Sequence, residues 1–163
     1  MNDELKLNFI NDLQLLVGKE CWGIIEGTGS IISFDFGEKI RLQNPIVNDY
    51  LSVDSQNFES EFSLFIHCVW RVDSTEKVIF GFWTEHEIVH QEINQIIGKS
   101  VEKVELFEPA FDLQVTFLND LKLNAFCDQT NDLDKNDNYD FFTPTIIYTV
   151  GHKSNLKISE HDK

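Results

Sequence analysis

The sequence predicts an α+β domain, mainly β, with curved antiparallel sheet and two amphipathic helices. Three observations carry that reading. Phe supplies 14 of the 163 residues, which favours a core of aromatic rings over a Leu-rich helical bundle. Apolar side chains recur with a helical period only near residues 3–17 and 85–97. Elsewhere they alternate, and pairs of alternating runs flank short polar turns such as Asp73-Ser74-Thr75-Glu76. The chain is long enough for one core. Residues 1–151 read as a single domain and residues 152–163 (HKSNLKISEHDK) as a flexible polar tail.

Leu5, Phe9, Leu13 and Leu16 share one helical face, and Gly18 ends the run. Ile32, Phe34 and Phe36 alternate with Ser33 and Asp35, as in a half-buried strand. Phe36-Gly37-Glu38-Lys39-Ile40 reads as a tight turn into a returning strand. Residues 43–60 are polar, contain Pro45 and read as a connecting loop. SLFIHCVWRV (63–72) reads as one central strand, because Phe65 and Val69 make its second face apolar beside Leu64, Ile66, Cys68 and Trp70. KVIFGFW (77–83) pairs with it. Residues 85–97 form the second helix, closed by Gly98. Strands follow at 101–107, 112–118 and 121–127, then an acidic loop and a strand region at 139–150.

Residues 15–42 and 95–123 resemble each other. Each has a helix end, Gly-Lys, a strand, a turn and an alternating strand ending in Phe36 or Phe117. The offset is 80 residues at Gly18/Gly98 and 81 at Phe36/Phe117. Two related halves of helix plus meander would explain this. So would convergence on a common local pattern.

Thirteen basic and 28 acidic residues give a net charge of −15. Nucleic acids and anionic lipids are bound through clustered Lys and Arg, so neither is expected as a partner. A basic protein partner would be captured quickly by such a charge. MNDELKLNF lacks a basic, then apolar, secretory leader, and no run is long enough to span a bilayer. Cys21, Cys68 and Cys127 show no paired spacing. A cytoplasmic protein with reduced thiols is expected.

His86-Glu87-Ile88-Val89-His90 fits H-E-x-x-H, which puts two zinc-binding imidazoles and a general base on one helix. Zinc hydrolysis would use His86 and His90 as ligands and Glu87 as the base activating a water. Against it, the extended H-E-x-x-H-x-x-G-x-x-H pattern is absent, and Glu102, Glu105 and Glu108 lie in predicted strands or turns rather than on a second helix. On the helical wheel both histidines fall at the edge of the apolar face formed by Val89, Ile93, Ile96 and Ile97. They read as border residues, with no cofactor expected and zinc as the alternative.

Asp132-Leu133-Asp134-Lys135-Asn136 opens like a calcium loop, but Asp137 stands where glycine belongs and Thr143 where a bidentate glutamate belongs. Asp132, Asp134, Asp137 and Asp140 read instead as an acidic surface for a partner. Glu26-Gly-Thr-Gly-Ser30 lacks the Lys-Ser/Thr of a phosphate loop and reads as a turn. Trp70 and Arg71 are the candidates for a ligand pocket between sheets, with Arg71 holding an anion.

Residues 61–83, with Cys68-Val-Trp70-Arg71, together with Gly-Lys-x-Val-x-x-Val (98–104), Asp-Leu-x-Val-x-Phe (112–117) and Tyr-x-x-Gly (148–151), resemble a family of small bacterial proteins. Its members carry a Cys-x-Trp-Arg strand. The resemblance brings no activity with it. The resulting expectation is a bacterial cytoplasmic binding protein without catalysis. A toxin-neutralising immunity protein that masks a basic surface is its most specific form. A zinc hydrolase and a small-ligand module are the alternatives.

Overall fold

A computed structural model describes residues 2–128 and 137–162. The fold is α+β and mainly β. Its described residues form eleven strands in two antiparallel sheets, with three α-helices. In chain order these are α1 (Asp3–Gln14), β1 (Cys21–Glu26), β2 (Ile32–Arg41), α2 (Val53–Asn57), β3 (Phe58–Ile66), β4 (Val69–Asp73), β5 (Val78–Gly81), α3 (His86–Glu92), β6 (Val101–Phe107), β7 (Asp112–Phe117), β8 (Lys122–Phe126), β9 (Tyr139–Phe142), β10 (Ile146–Val150) and β11 (Leu156–Glu160). One sheet runs β1-β2-β3-β9-β10-β11 and the other β5-β4-β8-β7-β6. No helix among the described residues is long and apolar enough to cross a membrane.

The two meanders, β1-β2-β3 and β6-β7-β8, are built alike, and a close set of backbone bonds joins them. Gly18 and Gly98 both have positive φ, +84° and +87°. Gly18 N–H donates to Val101 O (2.8 Å), and Gly98 N–H donates to Cys21 O (2.7 Å). Cys21 N–H donates to Lys99 O and Val101 N–H to Lys19 O, both at 2.9 Å. Glu20 and Ser100 form the antiparallel bridge between them. Every bond is matched by its counterpart 80 residues away, so the sequence repeat is a repeat of structure. Phe36 and Phe117 stack across this junction, 6.5 Å between ring centres.

Each half then sends its next strands into the other half's sheet. β4 leaves β3 and pairs with β8, while β9 leaves β8 and pairs with β3. The helices cross over as well: α1 packs on β6, with Gln14 Nε2 donating to Val104 O (3.1 Å), and α3 packs on β1 and β5. One hydrophobic core results. It takes Phe9, Leu13 and Leu16 from the α1 segment, Phe34, Phe36, Leu64, Phe141 and Tyr148 from one sheet, and Trp70, Phe80, Leu113, Val115 and Phe117 from the other.

Four segments differ from their sequence expectation. SLFIHCVWRV is two strands, not one. The ladder breaks at His67 and Cys68, whose N–H groups both donate to Asn138 O (2.9 and 3.0 Å), and the chain changes sheets there. Phe65 and Val69 look like a second apolar face only because two one-sided strands are joined end to end. Residues 36–40 hold a bulge instead of a turn. Gly37, at φ +81°, sends its N–H to Glu20 O (3.0 Å), and β2 continues to Arg41. The polar stretch 43–60 contains α2, capped by Ser52 accepting from Ser55 N–H (3.1 Å), and the start of β3. The polar tail expected at 152–163 is, over Leu156–Glu160, the edge strand β11 paired with β10. Its four exposed residues after Leu156 suit a charged sheet edge and hid it from periodicity.

Candidate functional site

The HEIVH segment follows β5 through the turn Phe82–Glu85. Val89, Ile93 and Ile96 enter the core, while His86, Glu87 and His90 stay exposed. His86 Nδ1 contacts the carboxylate of Glu26, which closes β1. That pair, with His90, Asp49 and Tyr50, borders a cleft of about 580 Å³. It adjoins a second hollow of about 500 Å³ that shares Glu26, Asp49, Tyr50 and His90 and reaches down to Trp22. Among the described residues, no three His, Cys, Asp or Glu side chains converge to hold a metal ion. A catalytic zinc needs three protein ligands, and among the described residues no third one converges with His86 and His90.

What the geometry brings together is an acidic cleft with an aromatic floor and an apolar rim. Trp22 is buried, and its Nε1–H finds no acceptor among the described residues. Lys39 Nζ lies 5.5 Å from that ring centre and pairs with Asp54 at 2.8 Å. Glu26, Asp49 and Asp54 line the walls. The rim includes Tyr50, 93% exposed, and Leu51 from the loop before α2; Val47, earlier in that loop, is 95% exposed. The loop is held from below: Leu42 N–H donates to Asn57 O, Ile46 N–H to Gln56 O, and Tyr50 N–H to Asn48 Oδ1. Trp83, in the turn before α3, is 86% exposed.

Behind the floor, Gly23 faces Asp35 across the β1–β2 pair. A side chain at position 23 would begin 2.9 Å from Asp35 Oδ2, so only glycine fits without a shift. Burial pushes the Asp35 carboxyl up to about 6, and the Ser60 hydroxyl, donating to Oδ1 at 2.9 Å, works the other way.

The other candidates separate. Trp70 is fully buried and donates from Nε1 to Ser30 O (2.7 Å). Arg71 points outward, pairs through Nε with both oxygens of Asp73 (2.9 Å) and lies 4.8 Å from the Phe126 ring centre. Consecutive strand residues face opposite sides, so these two do not line one pocket. Asp140 sits on β9, accepting from Thr149 Oγ1 (2.5 Å) with His67 Nε2 at 3.6 Å, and Asp137 faces Lys157 at 3.7 Å. Asp132 and Asp134 lie outside the described residues. Sequence reasoning missed Trp22, Tyr50 and Trp83. The available signal was aromatic side chains isolated in polar surroundings, as with Tyr50 in NPIVNDYLS. No protein-family model, no curated protein and no solved structure matches this chain.

Proposed function

We propose that this chain is a non-catalytic binding protein of the bacterial cytoplasm that takes a basic protein partner, in the manner of a toxin-neutralising immunity protein. The supporting observation is the exposed Tyr50 at the edge of a cleft walled by Glu26, Asp49 and Asp54, with the exposed Val47 in the same loop. Interfaces draw affinity from a few large anchors, with Tyr and Trp prominent among them. Complementary charge mainly speeds encounter. Tyr50 is the anchor in this reading. The net charge of −15, with the acidic stretch 132–140 included, is the steering field.

The test uses a purified basic protein as the probe, the product of an adjacent gene where that gene encodes one. Association should slow steeply as salt rises, and Tyr50→Ala should raise the dissociation rate about tenfold or more. Neutralising Asp132 and Asp134 should slow association at low salt only. A complex indifferent to salt and to Tyr50→Ala would end the proposal.

A second reading, small-ligand binding in the same cleft, has one observation in its favour: the unpaired Nε1–H of Trp22. A ligand that accepts from it would quench Trp fluorescence, and the quench would vanish in Trp22→Phe.

A further inference from the structure

The site where the chain changes sheets brings two cysteines face to face. β4 and β8 pair with Val69 opposite Phe126 and Trp70 opposite Ala125. Continued by one residue, that register sets Cys68 opposite Cys127. Both belong to the alternation that turns Trp70 and Ala125 into the core, and both are covered, Cys68 fully and Cys127 in part. Their N–H groups do not bond each other's residue: Cys68 N–H donates to Asn138 O (3.0 Å) and Cys127 N–H to Asp112 Oδ1 (2.6 Å). The pair therefore occupies a non-hydrogen-bonded position, where opposed Cα atoms approach to about 4.5 Å. That is within the roughly 4.4–6.8 Å that a disulfide spans. Cys127 Sγ donates to Phe111 O (3.5 Å), and the Cys68 thiol is near enough to push the Cys127 thiol up. Cys21, the third thiol, is fully buried on β1.

We propose that Cys68 and Cys127 are a dithiol/disulfide pair, oxidised by a low-molecular-weight disulfide and forming a covalent staple between the two halves at the crossover. The Cys127 thiolate, the more accessible, attacks one sulfur of the reagent and expels one thiolate, leaving a mixed disulfide on Cys127. Cys68 then gives up its proton and attacks Cys127 Sγ, expelling the second reagent thiol. Two protein thiols are oxidised, one reagent disulfide is reduced to two thiols, and the two protein protons end on those thiols.

The surroundings set the rate. The contact with Cys68, burial and the nearby Asp112 and Asp128 carboxylates all push the Cys127 thiol up. Tyr139, the other titratable group packed there, donates from its hydroxyl to Phe111 O (2.8 Å). Exchange is therefore slow near pH 7 and quickens about tenfold per pH unit. Once made, the covered bond is sheltered from thiols.

The experiment incubates the whole chain with glutathione disulfide at alkaline pH, then alkylates and maps the cysteines by mass spectrometry. A parallel sample is refolded from urea in the same redox buffer. The expected product has lost two hydrogens, carries a Cys68–Cys127 cross-link and keeps Cys21 free. In Cys68→Ser a mixed disulfide should persist on Cys127. The bond closes a loop of roughly 60 residues, so the thermal midpoint should rise by about 10 °C and fall back on reduction. A stable mixed disulfide in the unaltered chain, a cross-link to Cys21, a lowered midpoint, or both thiols still free after refolding would each overturn the proposal.

Discussion

Asp35→Asn should stabilise the protein at neutral pH and do so less as the solution is acidified. The Asp35 carboxyl titrates near 6 in the fold against 3.8 when unperturbed, because burial disfavours its charge. A group whose folded pKa is raised contributes stability that is complete below its unfolded pKa and disappears as pH rises through its folded pKa. For Asp35 that window runs from 3.8 to about 6. Over the whole window the loss amounts to about 3 kcal/mol. Asparagine has no charge to desolvate, and its amide oxygen can still accept from the Ser60 hydroxyl that now donates to Oδ1. About half of the loss is already incurred at pH 5, so the stability gap between variant and parent should widen by about 1.5 kcal/mol from pH 5 to pH 8. Urea unfolding of both proteins at the two pH values measures that change, and the subtraction cancels the other carboxylates. A gap that stays constant, or narrows toward pH 8, refutes the reasoning. So does an Asp35 side-chain carbon whose NMR titration midpoint falls at an ordinary carboxylate value.

Three further predictions concern the junction, the core and the histidines. Gly18→Ala and Gly98→Ala should each cost about 1–2 kcal/mol through backbone strain alone, since both have positive φ and an added Cβ meets nothing within 4 Å; markedly unequal costs in urea unfolding would argue against equivalent roles in the two halves. Trp70→Phe leaves Ser30 O without its 2.7 Å donor and opens space in the core, and should lower stability by roughly 2–4 kcal/mol in thermal or urea unfolding. The chain purified without added metal should hold far less than one zinc per molecule by elemental analysis, and His90→Ala, an exposed position, should move stability by no more than about 0.5 kcal/mol. One zinc per chain that is lost in His90→Ala would restore the hydrolase reading, and Glu87→Gln would then have to abolish activity.

Much of the fold was legible because its periods are clean. The strands at 101–107, 112–118 and 121–127 match β6, β7 and β8 to within a residue, since each buries one face and is bounded by a turn. The repeat was legible through Gly18 and Gly98, whose left-handed backbone demands the same residue twice. The exchange of strands was not. Whether β4 returns to its own meander or joins the other depends on contacts between Cys68 and Asn138, which are far apart in sequence and leave no local period. The site was less legible still. HEIVH drew attention by its spelling, yet its partner Glu26 comes from a strand 60 positions earlier. Trp70 and Arg71 were legible as prominent residues, but alternation on β4 sends them to opposite faces. Trp22, Tyr50 and Trp83 carry no motif, and only exposure or an unpaired Nε1 singles them out.

The exchanged strands bear on how the chain is made. During synthesis the first half emerges with β3 lacking β9 along one edge and with the β4–β5 hairpin lacking β8. Neither edge is closed until residues beyond 121 have left the ribosome, so the first half spends that interval with a bare sheet edge and an unburied aromatic face. Such edges pair readily with other chains. A fragment ending near Gly98 should therefore aggregate rather than fold, and the full chain should fold late and all at once, the slow course imposed by pairings distant in sequence.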